Sequence, residues 1–284
     1  MNRTSLRSQN GKNLSAFLTV LFVFVIALAM VTPAHAQFTL VKISNDSFTD
    51  SDAQHKTEVE PDTYSWGSTM VAAFQVARIA PGGGADLGFS TSKDGGKTWT
   101  FGSLPGWTVN FKHGSASAAS DASVVYDKKH GVWLIEGLLL GNSGVNVAVS
   151  RSTDGLHWSN PITVDGNEVD DKNWITCDNT PTSKFYGNCY AEWDQAFSTG
   201  LIQMSTSRDG GLTWSPGVST ADQAGGSGAE PLVLRNGTVV VPFLGNNMDA
   251  FTSTDGGKSW SSTFQIANVN LFFSNTPICR AVLP

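Results

Sequence analysis

Four carboxylates are the residues of this sequence best placed to do chemistry, because each opens a short apolar segment. They are Glu60, Asp121, Asp171 and Glu230. A pair of carboxylates can act as general acid and as base or nucleophile, which is what the hydrolysis of a glycosidic bond requires. In the alternative interpretation each acid is structural and hydrogen-bonds to the backbone of its own turn. Both interpretations stay open at the level of sequence.

The elements that must position these acids are indicated by a motif that occurs four times. Its form is Ser-x-Asp-Gly, in three copies with a second glycine, and it closes on a tryptophan. The aspartates are Asp94, Asp154, Asp209 and Asp255, and the tryptophans are Trp99, Trp158, Trp214 and Trp260. A motif that recurs about every 50 residues predicts a repeat fold.

Each copy of the motif predicts a β-hairpin with a tight turn. The segment before it alternates between apolar and polar residues, which indicates a strand with one buried face. In the turn, the aspartate side chain accepts backbone N–H groups and glycine adopts a positive φ at low cost. The tryptophan begins the return strand and packs over the hairpin. With the apolar segment that follows each carboxylate, the pattern predicts units of about four antiparallel strands.

The four motifs resemble the Asp-box, or bacterial neuraminidase repeat, of the sialidase-like superfamily. The resemblance implies an all-β fold, a β-propeller of four-stranded antiparallel blades with Asp-box turns, in which the Asp-box is structural and lies away from the active site. Residues 37–284 accommodate about four blades and part of a fifth. Because sialidase propellers have six blades, we expect either a smaller ring or an incomplete six-bladed ring, and we favour the incomplete one.

The resemblance also implies a function. The first expectation is an exo-acting glycoside hydrolase on terminal glycan sugars, of the exo-α-sialidase type, and the alternative is a non-catalytic propeller that binds carbohydrate or protein. Sialidases hold the carboxylate of their substrate with three arginines, for which Arg78 and Arg280 are the candidates in this sequence. Nothing in the sequence matches the nucleophilic tyrosine of the family and its glutamate partner. The four carboxylates, which we expect to occupy one position of the repeat, therefore remain the candidate catalytic residues.

Residues 1–36 have the features of a secretory signal peptide. A basic start precedes an apolar run, and Ala34-His35-Ala36 fits a cleavage site before Gln37. An uncleaved membrane anchor is the alternative. The chain has 24 acidic and 18 basic residues and no basic cluster, which argues against nucleic acid or an anionic membrane as the partner. We expect a secreted or periplasmic protein that acts on a glycan or glycoprotein surface.

The three cysteines fit an exported protein. Turn residues between Pro181 and Lys184 predict a hairpin that brings Cys177 and Cys189 within disulfide reach. Zinc binding is the competing interpretation, but no nearby cysteine pair or histidine supplies further ligands. In this arrangement Cys279 is expected to be a free thiol unless it pairs between chains.

No cofactor is expected, and calcium is the alternative. Asp165, Asn167 and Glu168 precede Asp170 and Asp171 and supply oxygen ligands of the type calcium prefers. The sequence contains no twelve-residue calcium-binding loop.

Overall fold

The computed structural model of the protein describes residues 40–80, 82–167 and 169–269. Over these ranges the chain is all-β, its strands pair antiparallel, and it contains no helix. The strands are β1 Ala53–Trp66, β2 Thr69–Ile79, β3 Gly84–Ser92, β4 Thr100–Ser103, β5 Ala118–Asp127, β6 Val132–Leu140, β7 Val145–Ser152, β8 Ile162–Asp165, β9 Asp171–Cys177, β10 Cys189–Asp194, β11 Ile202–Ser207, β12 Leu232–Val233, β13 Val239–Leu244, β14 Met248–Ser253 and β15 Phe264–Ala267. The predicted signal peptide, Cys279 and Arg280 lie outside the described residues.

The strands form four blades, each a meander of neighbouring antiparallel strands. Blade 1 contains β1 to β4, blade 2 contains β5 to β8, blade 3 contains β9 to β11, and blade 4 contains β12 to β15. Blades 1 and 2 are joined into one sheet through the pairing of Gly84 with Ala119. In blade 3 the outermost strand is replaced by an irregular segment in which Val218 bridges to Met204. The predicted all-β propeller with antiparallel blades is confirmed.

Apolar side chains fill the spaces between consecutive blades, because alternate residues of each strand face opposite neighbours. Between blades 1 and 2, Val71 and Leu87 pack with Trp133 and Ile135. Two further clusters fill the next two interfaces. Leu134, Ile175 and Trp193 belong to the cluster between blades 2 and 3, and Tyr190, Met204, Val241 and Phe251 to the cluster between blades 3 and 4.

The four Ser-x-Asp-Gly turns share one hydrogen-bond pattern. In each turn the serine hydroxyl donates to Oδ1 of the aspartate over 2.8–3.0 Å. The same oxygen accepts two backbone N–H groups, which in the first turn are those of Lys97 and Thr98. Oδ2 of Asp94 accepts a side-chain hydrogen bond from Thr98, and the other three turns have an equivalent bond. Each aspartate therefore satisfies donors that a bare turn would leave unpaired.

Three of these turns also join one blade to the next. The carbonyl oxygen of the first glycine accepts a hydrogen bond from the preceding blade in each case. The donors are Thr91 Oγ1 to Gly155, Arg151 Nε to Gly210 and Arg208 Nη2 to Gly256, over 2.5, 2.5 and 3.2 Å. Arg151 and Arg208 thus each bind a backbone carbonyl group in the Ser-x-Asp-Gly turn of the next blade.

Cys177 and Cys189 form the predicted disulfide, with an S–S distance of 2.06 Å. They lie directly opposite each other in the pairing of β9 with β10, so the bond crosses neighbouring strands of blade 3. Across the described ranges we find no helix with the length and hydropathy needed to cross a membrane.

Candidate active site

The first strands of blades 1, 2 and 3, and the segment before β12 in blade 4, contain the same β-bulge, at which two residues lie opposite one residue of the second strand. In β1, Val59 pairs with Gln75 and Asp62 pairs with Ala73, so the bulge holds Glu60 and Pro61. The equivalent bulges in blades 2, 3 and 4 hold Asp121-Ala122, Lys172-Asn173 and Gly228-Ala229.

The first residue of each bulge has a left-handed backbone. Its φ is 51° at Glu60, 50° at Asp121, 50° at Lys172 and 65° at Gly228. This conformation suits glycine, and it costs other residues roughly 1–2 kcal/mol. Three blades therefore accept backbone strain at the same point of the repeat, which is typical of functional sites.

The four bulges meet around one cavity of about 340 Å³, which we call the central pocket. Each blade contributes the bulge and, in three blades, the residue that follows it. The lining residues are Glu60, Pro61, Asp62, Asp121, Ala122, Lys172, Asn173, Trp174, Gly228, Ala229 and Glu230. The bulge segments of all four blades thus contribute to the lining of one pocket.

A second cavity of about 280 Å³, the side pocket, adjoins the central one. The two pockets share Glu60, Asp121 and Lys172. Arg78 and Asp171 line only the side pocket.

The structure therefore brings all four predicted carboxylates to these two adjoining pockets, but not as equivalent residues. Glu60 and Asp121 are first bulge residues, whereas Asp171 precedes its bulge and Glu230 follows its own. The prediction that the four acids occupy one position of the repeat is therefore wrong. The repeated feature is the backbone bulge, and its first residue is Lys172 in blade 3 and Gly228 in blade 4.

A chain of hydrogen bonds links the carboxylates of blades 1 and 2. Gln75 Nε2 donates to Glu60 Oε2 over 2.6 Å and to Ser120 Oγ over 3.0 Å. The Ser120 hydroxyl donates in turn to Oδ1 of Asp121. Gln75 is only 1% exposed and lines the side pocket together with Ser120, and the link fixes the two acids relative to each other.

Lys172 extends the chain to blade 3. Its Nζ lies 3.2 Å from Oδ2 of Asp121 and 4.0 Å from Oδ1 of Asp171. Burial acts to lower the pKa of Lys172, but the charges of Asp121, Asp171 and Glu60 outweigh it and raise that pKa. The ammonium group is therefore held among carboxylates of three blades.

Two buried glutamates lie behind the pocket wall at equivalent positions. Glu136 and Glu192 are opposite the residue that follows the bulge in blades 2 and 3, and both are 0% exposed. Burial raises the pKa of Glu136 well above its usual range, an effect that the adjacent Asn173 amide opposes. Burial also raises the pKa of Glu192, assisted by the charges of Asp194 and Glu136. Burial likewise raises the pKa of Asp194 to about 6.

Comparison with known proteins gives matches at the level of structure. An intramolecular trans-sialidase from leech, solved with 2,7-anhydro-Neu5Ac, superimposes with a TM-score of 0.59 at 13% identity over 80% of this chain and 54% of that one. The intramolecular trans-sialidase from Ruminococcus gnavus gives 0.57 at 15% identity over 78% and 73%. The NanB sialidase from Streptococcus pneumoniae gives 0.58 at 15% identity over 86% and 56%. The chain shares the β-propeller fold of these enzymes.

The chain thus spans about half the length of the leech and pneumococcal enzymes. No protein-family model matches its sequence, and the search of curated proteins gives no match. At these identities the likeness establishes the fold, and the function of this propeller has to be argued from its pocket.

Several pocket residues carried no sequence signal. At no position do the segments Glu60-Pro-Asp, Asp121-Ala-Ser, Lys172-Asn-Trp and Gly228-Ala-Glu all have the same residue type. Only the strand pairing shows that they are equivalent. Gln75 and Ser120 were missed for a different reason, since each reads as an ordinary strand residue until its partner in another blade is known.

The described part of the propeller contains no group of three or more histidine, cysteine, aspartate or glutamate side chains that could hold a metal ion. Of the expected calcium ligands, Glu168 lies outside the described residues. Asp165 accepts hydrogen bonds from the backbone and side chain of Asn167 over 3.0 and 2.9 Å, so its oxygens already have partners in the protein.

Proposed function

We propose that this sialidase-like propeller binds the terminal sugar of a glycan in the central pocket and hydrolyses its glycosidic bond with a pair of carboxylates. The observation that carries the proposal is the hydrogen-bonded chain from Glu60 through Gln75 and Ser120 to Asp121 and Lys172. It holds acids of different blades in fixed positions at one cavity. Preorganised polar groups of this kind are what catalysis requires.

The two walls of the pocket suit different roles. Asp121 is ion-paired with Lys172 and is our candidate for the base or nucleophile. Glu230 is exposed on the blade 4 wall, and its carboxylate accepts no hydrogen bond from the rest of the described chain. It is therefore free to approach the oxygen of the leaving group and is our candidate for the general acid.

Trp174 supports a sugar as the ligand. It lines the central pocket and is partly exposed there. A tryptophan side chain offers a large flat apolar surface, against which the C–H face of a sugar ring can pack. Carboxylates beside an aromatic ring provide acceptors for hydroxyl groups together with an apolar surface.

The test is hydrolysis of a panel of fluorogenic glycosides that includes neutral sugars and α-N-acetylneuraminic acid. We expect turnover of at least one glycoside by the wild-type protein and a loss of about 10²- to 10⁴-fold in Asp121→Asn, the usual contribution of an acid–base residue. Asp52→Asn is the matched control, because Asp52 is exposed and lines neither pocket. Equal activity in Asp121→Asn and Asp52→Asn would contradict the assignment.

Sugar binding without turnover of any glycoside would favour the second candidate, a non-catalytic glycan-binding propeller. Arg78 bears on this choice. As a substrate-binding residue of the sialidase type, it would contact the ligand from the side pocket that it lines. Arg78→Ala should then weaken the binding of a carboxylated sugar more than that of a neutral one.

We further propose that the protein is exported, with the mature chain beginning near Gln37, and that its four turns are Asp-boxes. The disulfide between Cys177 and Cys189 supports export, since such bonds persist in oxidising compartments. N-terminal sequencing of protein from the culture medium or periplasm checks the cleavage site. An intact Met1 in the membrane fraction would contradict it.

A further inference from the structure

We infer that the sugar bound in the central pocket is uncharged, and that its bulk lies over Gly228. This inference rests on the proposed function and adds the class of substrate to it. It differs from what the sialidase fold suggests, because sialic acids carry a carboxylate. Three features of the pocket support it, namely the charge of its lining residues, the ion pairs of Lys172, and the open space at Gly228.

The charge of the lining disfavours an anionic ligand. Four carboxylates line the central pocket, and Lys172 is the sole cation among its lining residues. The carboxylates belong to Glu60, Asp62, Asp121 and Glu230. A ligand carboxylate placed among them would face like charges, which disfavours its binding.

Lys172 is not free to compensate such a ligand. Its Nζ already contacts Asp121 at 3.2 Å and lies 4.0 Å from Asp171. A sialic acid would have to compete with two protein carboxylates for a single ammonium group. Arg78 lines the side pocket and not the central one.

The same lining suits hydroxyl groups. Carboxylates accept hydrogen bonds, which sugar hydroxyls donate. Asn173 is 3% exposed, and neither polar atom of its side-chain amide has a hydrogen-bond partner of normal geometry. Its polar atoms are buried behind the lining of the central pocket, beside the Glu136 carboxyl. The carboxylates that line the pocket are therefore the acceptors available to sugar hydroxyls.

The blade 4 wall supplies the space. Blades 1, 2 and 3 place Glu60, Asp121 and Lys172 at the first bulge position, but blade 4 has Gly228. A Cβ atom at Gly228 would meet no other atom within 4 Å. The pocket is therefore open at this one position of the repeat, and a sugar ring that donates to the acids of blades 1 and 2 has room there.

The experiment measures binding and hydrolysis separately. Methyl glycosides of neutral hexoses and pentoses, of glucuronic acid and of N-acetylneuraminic acid are titrated by calorimetry, and the matching fluorogenic glycosides are assayed for turnover. We expect at least one neutral glycoside to bind, and both acidic ones to bind at least about tenfold more weakly. Acidic sugars that bind as tightly as neutral ones would overturn the inference.

Gly228→Asn tests the position of the sugar, because asparagine tolerates a left-handed backbone and fills the open space. Gly67→Asn is its matched control: Gly67 has a φ of 60° with no atom within 4 Å of a Cβ, and it lines neither pocket. Only Gly228→Asn should weaken neutral-sugar binding, by at least about tenfold. Equal binding in both variants would overturn the placement over Gly228.

Hydrolysis distinguishes this inference from the proposed function. Binding of a neutral glycoside without turnover would leave the uncharged ligand supported and would contradict the hydrolase. Turnover of the sialoside in preference to neutral glycosides would support the hydrolase and overturn the uncharged ligand. Absence of binding by every sugar would overturn both.

Discussion

Each blade has an outer end, formed by its Ser-x-Asp-Gly turn, and an inner end, formed by its bulge. The two ends repeat in different ways. At the Ser-x-Asp-Gly turns the same side chains make the same hydrogen bonds four times. At the inner bulges the backbone repeats, with a positive φ at each first residue, but the side chain at that residue is different in every blade. Glutamate, aspartate, lysine and glycine occupy it in chain order.

This difference follows from what each side chain contacts. The turn aspartate bonds only to atoms of its own turn, so any replacement removes acceptors that the fold needs. The first bulge residue faces a cavity, and the bulge itself is held by backbone pairing on either side of it. Its side chain is therefore free to differ without loss of the fold. We therefore propose that the turns stabilise the fold and that the bulges serve function.

The largest expected effect on stability comes from the disulfide of blade 3, which lies at the opposite end of β9 from the bulge. Replacing both Cys177 and Cys189 with alanine should lower the free energy of unfolding by about 3 kcal/mol, because the disulfide closes a short loop and restricts the unfolded chain. Urea denaturation checks this. Sugar binding at low temperature should be retained, since neither cysteine lines a pocket. Loss of binding in a folded variant would contradict the division between the two ends.

Asp209→Ala should have the next largest effect. It removes the acceptor for the N–H groups of Leu212 and Thr213 and for the hydroxyl of Ser207. Poorly paired donors cost ~1–3 kcal/mol, and about 2–4 °C of melting temperature is lost per kcal/mol in a domain of this size. Calorimetry measures the shift. Unchanged stability together with lost sugar binding would show that this turn is part of the site.

The sequence predicted the outer ends well because particular side chains determine the structure of the turns. Serine, aspartate, glycine and tryptophan recur at fixed spacing, and each has one physical role in the turn. The disulfide was predictable for the same reason, since a turn separates Cys177 from Cys189. These features depend on residues close together in the chain.

The inner ends were predicted only in part because backbone conformation, and not a particular side chain, defines the bulges. A residue other than glycine with a left-handed backbone cannot be recognised from the sequence. The repeats were therefore aligned on their acidic residues and not on their bulges. That alignment gave the correct position in blades 1 and 2 and a shifted one at Asp171 and Glu230. The link through Gln75 depends on a contact with Ser120, 45 positions away.

The buried glutamates predict a dependence of stability on pH. Burial raises the folded-state pKa of Glu136 and of Glu192, so the folded protein retains protons that the unfolded chain releases above about pH 4.3. Their contribution to stability is therefore fully present below that pH and is lost as pH rises toward the folded-state values. Each group should lower the free energy of unfolding by about 1.4 kcal/mol per pH unit in this window.

Glu192→Gln tests this dependence, because glutamine is similar in size and does not titrate. Urea denaturation between pH 5 and pH 8 should show a shallower decline in this variant than in the wild type. Glu58→Gln is the control, since Glu58 lies on partly exposed β1 and should leave the slope unchanged. A wild-type stability that rises over this range, or an identical slope in Glu192→Gln, would contradict the assignment.

The smallest expected effect on stability, and the sharpest test of the comparison, is the exchange of a strained residue for glycine. Glu60 and Lys56 both lie on β1 with left-handed backbones, at φ values of 51° and 60°, but only Glu60 lines a pocket. Glycine relieves the strain and gives the unfolded chain more freedom. Lys56→Gly should therefore raise the free energy of unfolding by less than about 1 kcal/mol.

The free energy of unfolding should rise less in Glu60→Gly than in Lys56→Gly. The reason is that Glu60→Gly removes the hydrogen bond from Gln75 to Glu60, while the bond between Gln75 and Ser120 stays. Sugar binding and turnover should fall only in Glu60→Gly. If both variants bind sugar like the wild type, the strain at Glu60 serves the fold and not the pocket. If Lys56→Gly loses binding as well, strain along the whole of β1 positions the site. The division between fixed outer ends and variable inner ends would then not describe blade 1, because a residue of β1 outside the bulge would also affect binding.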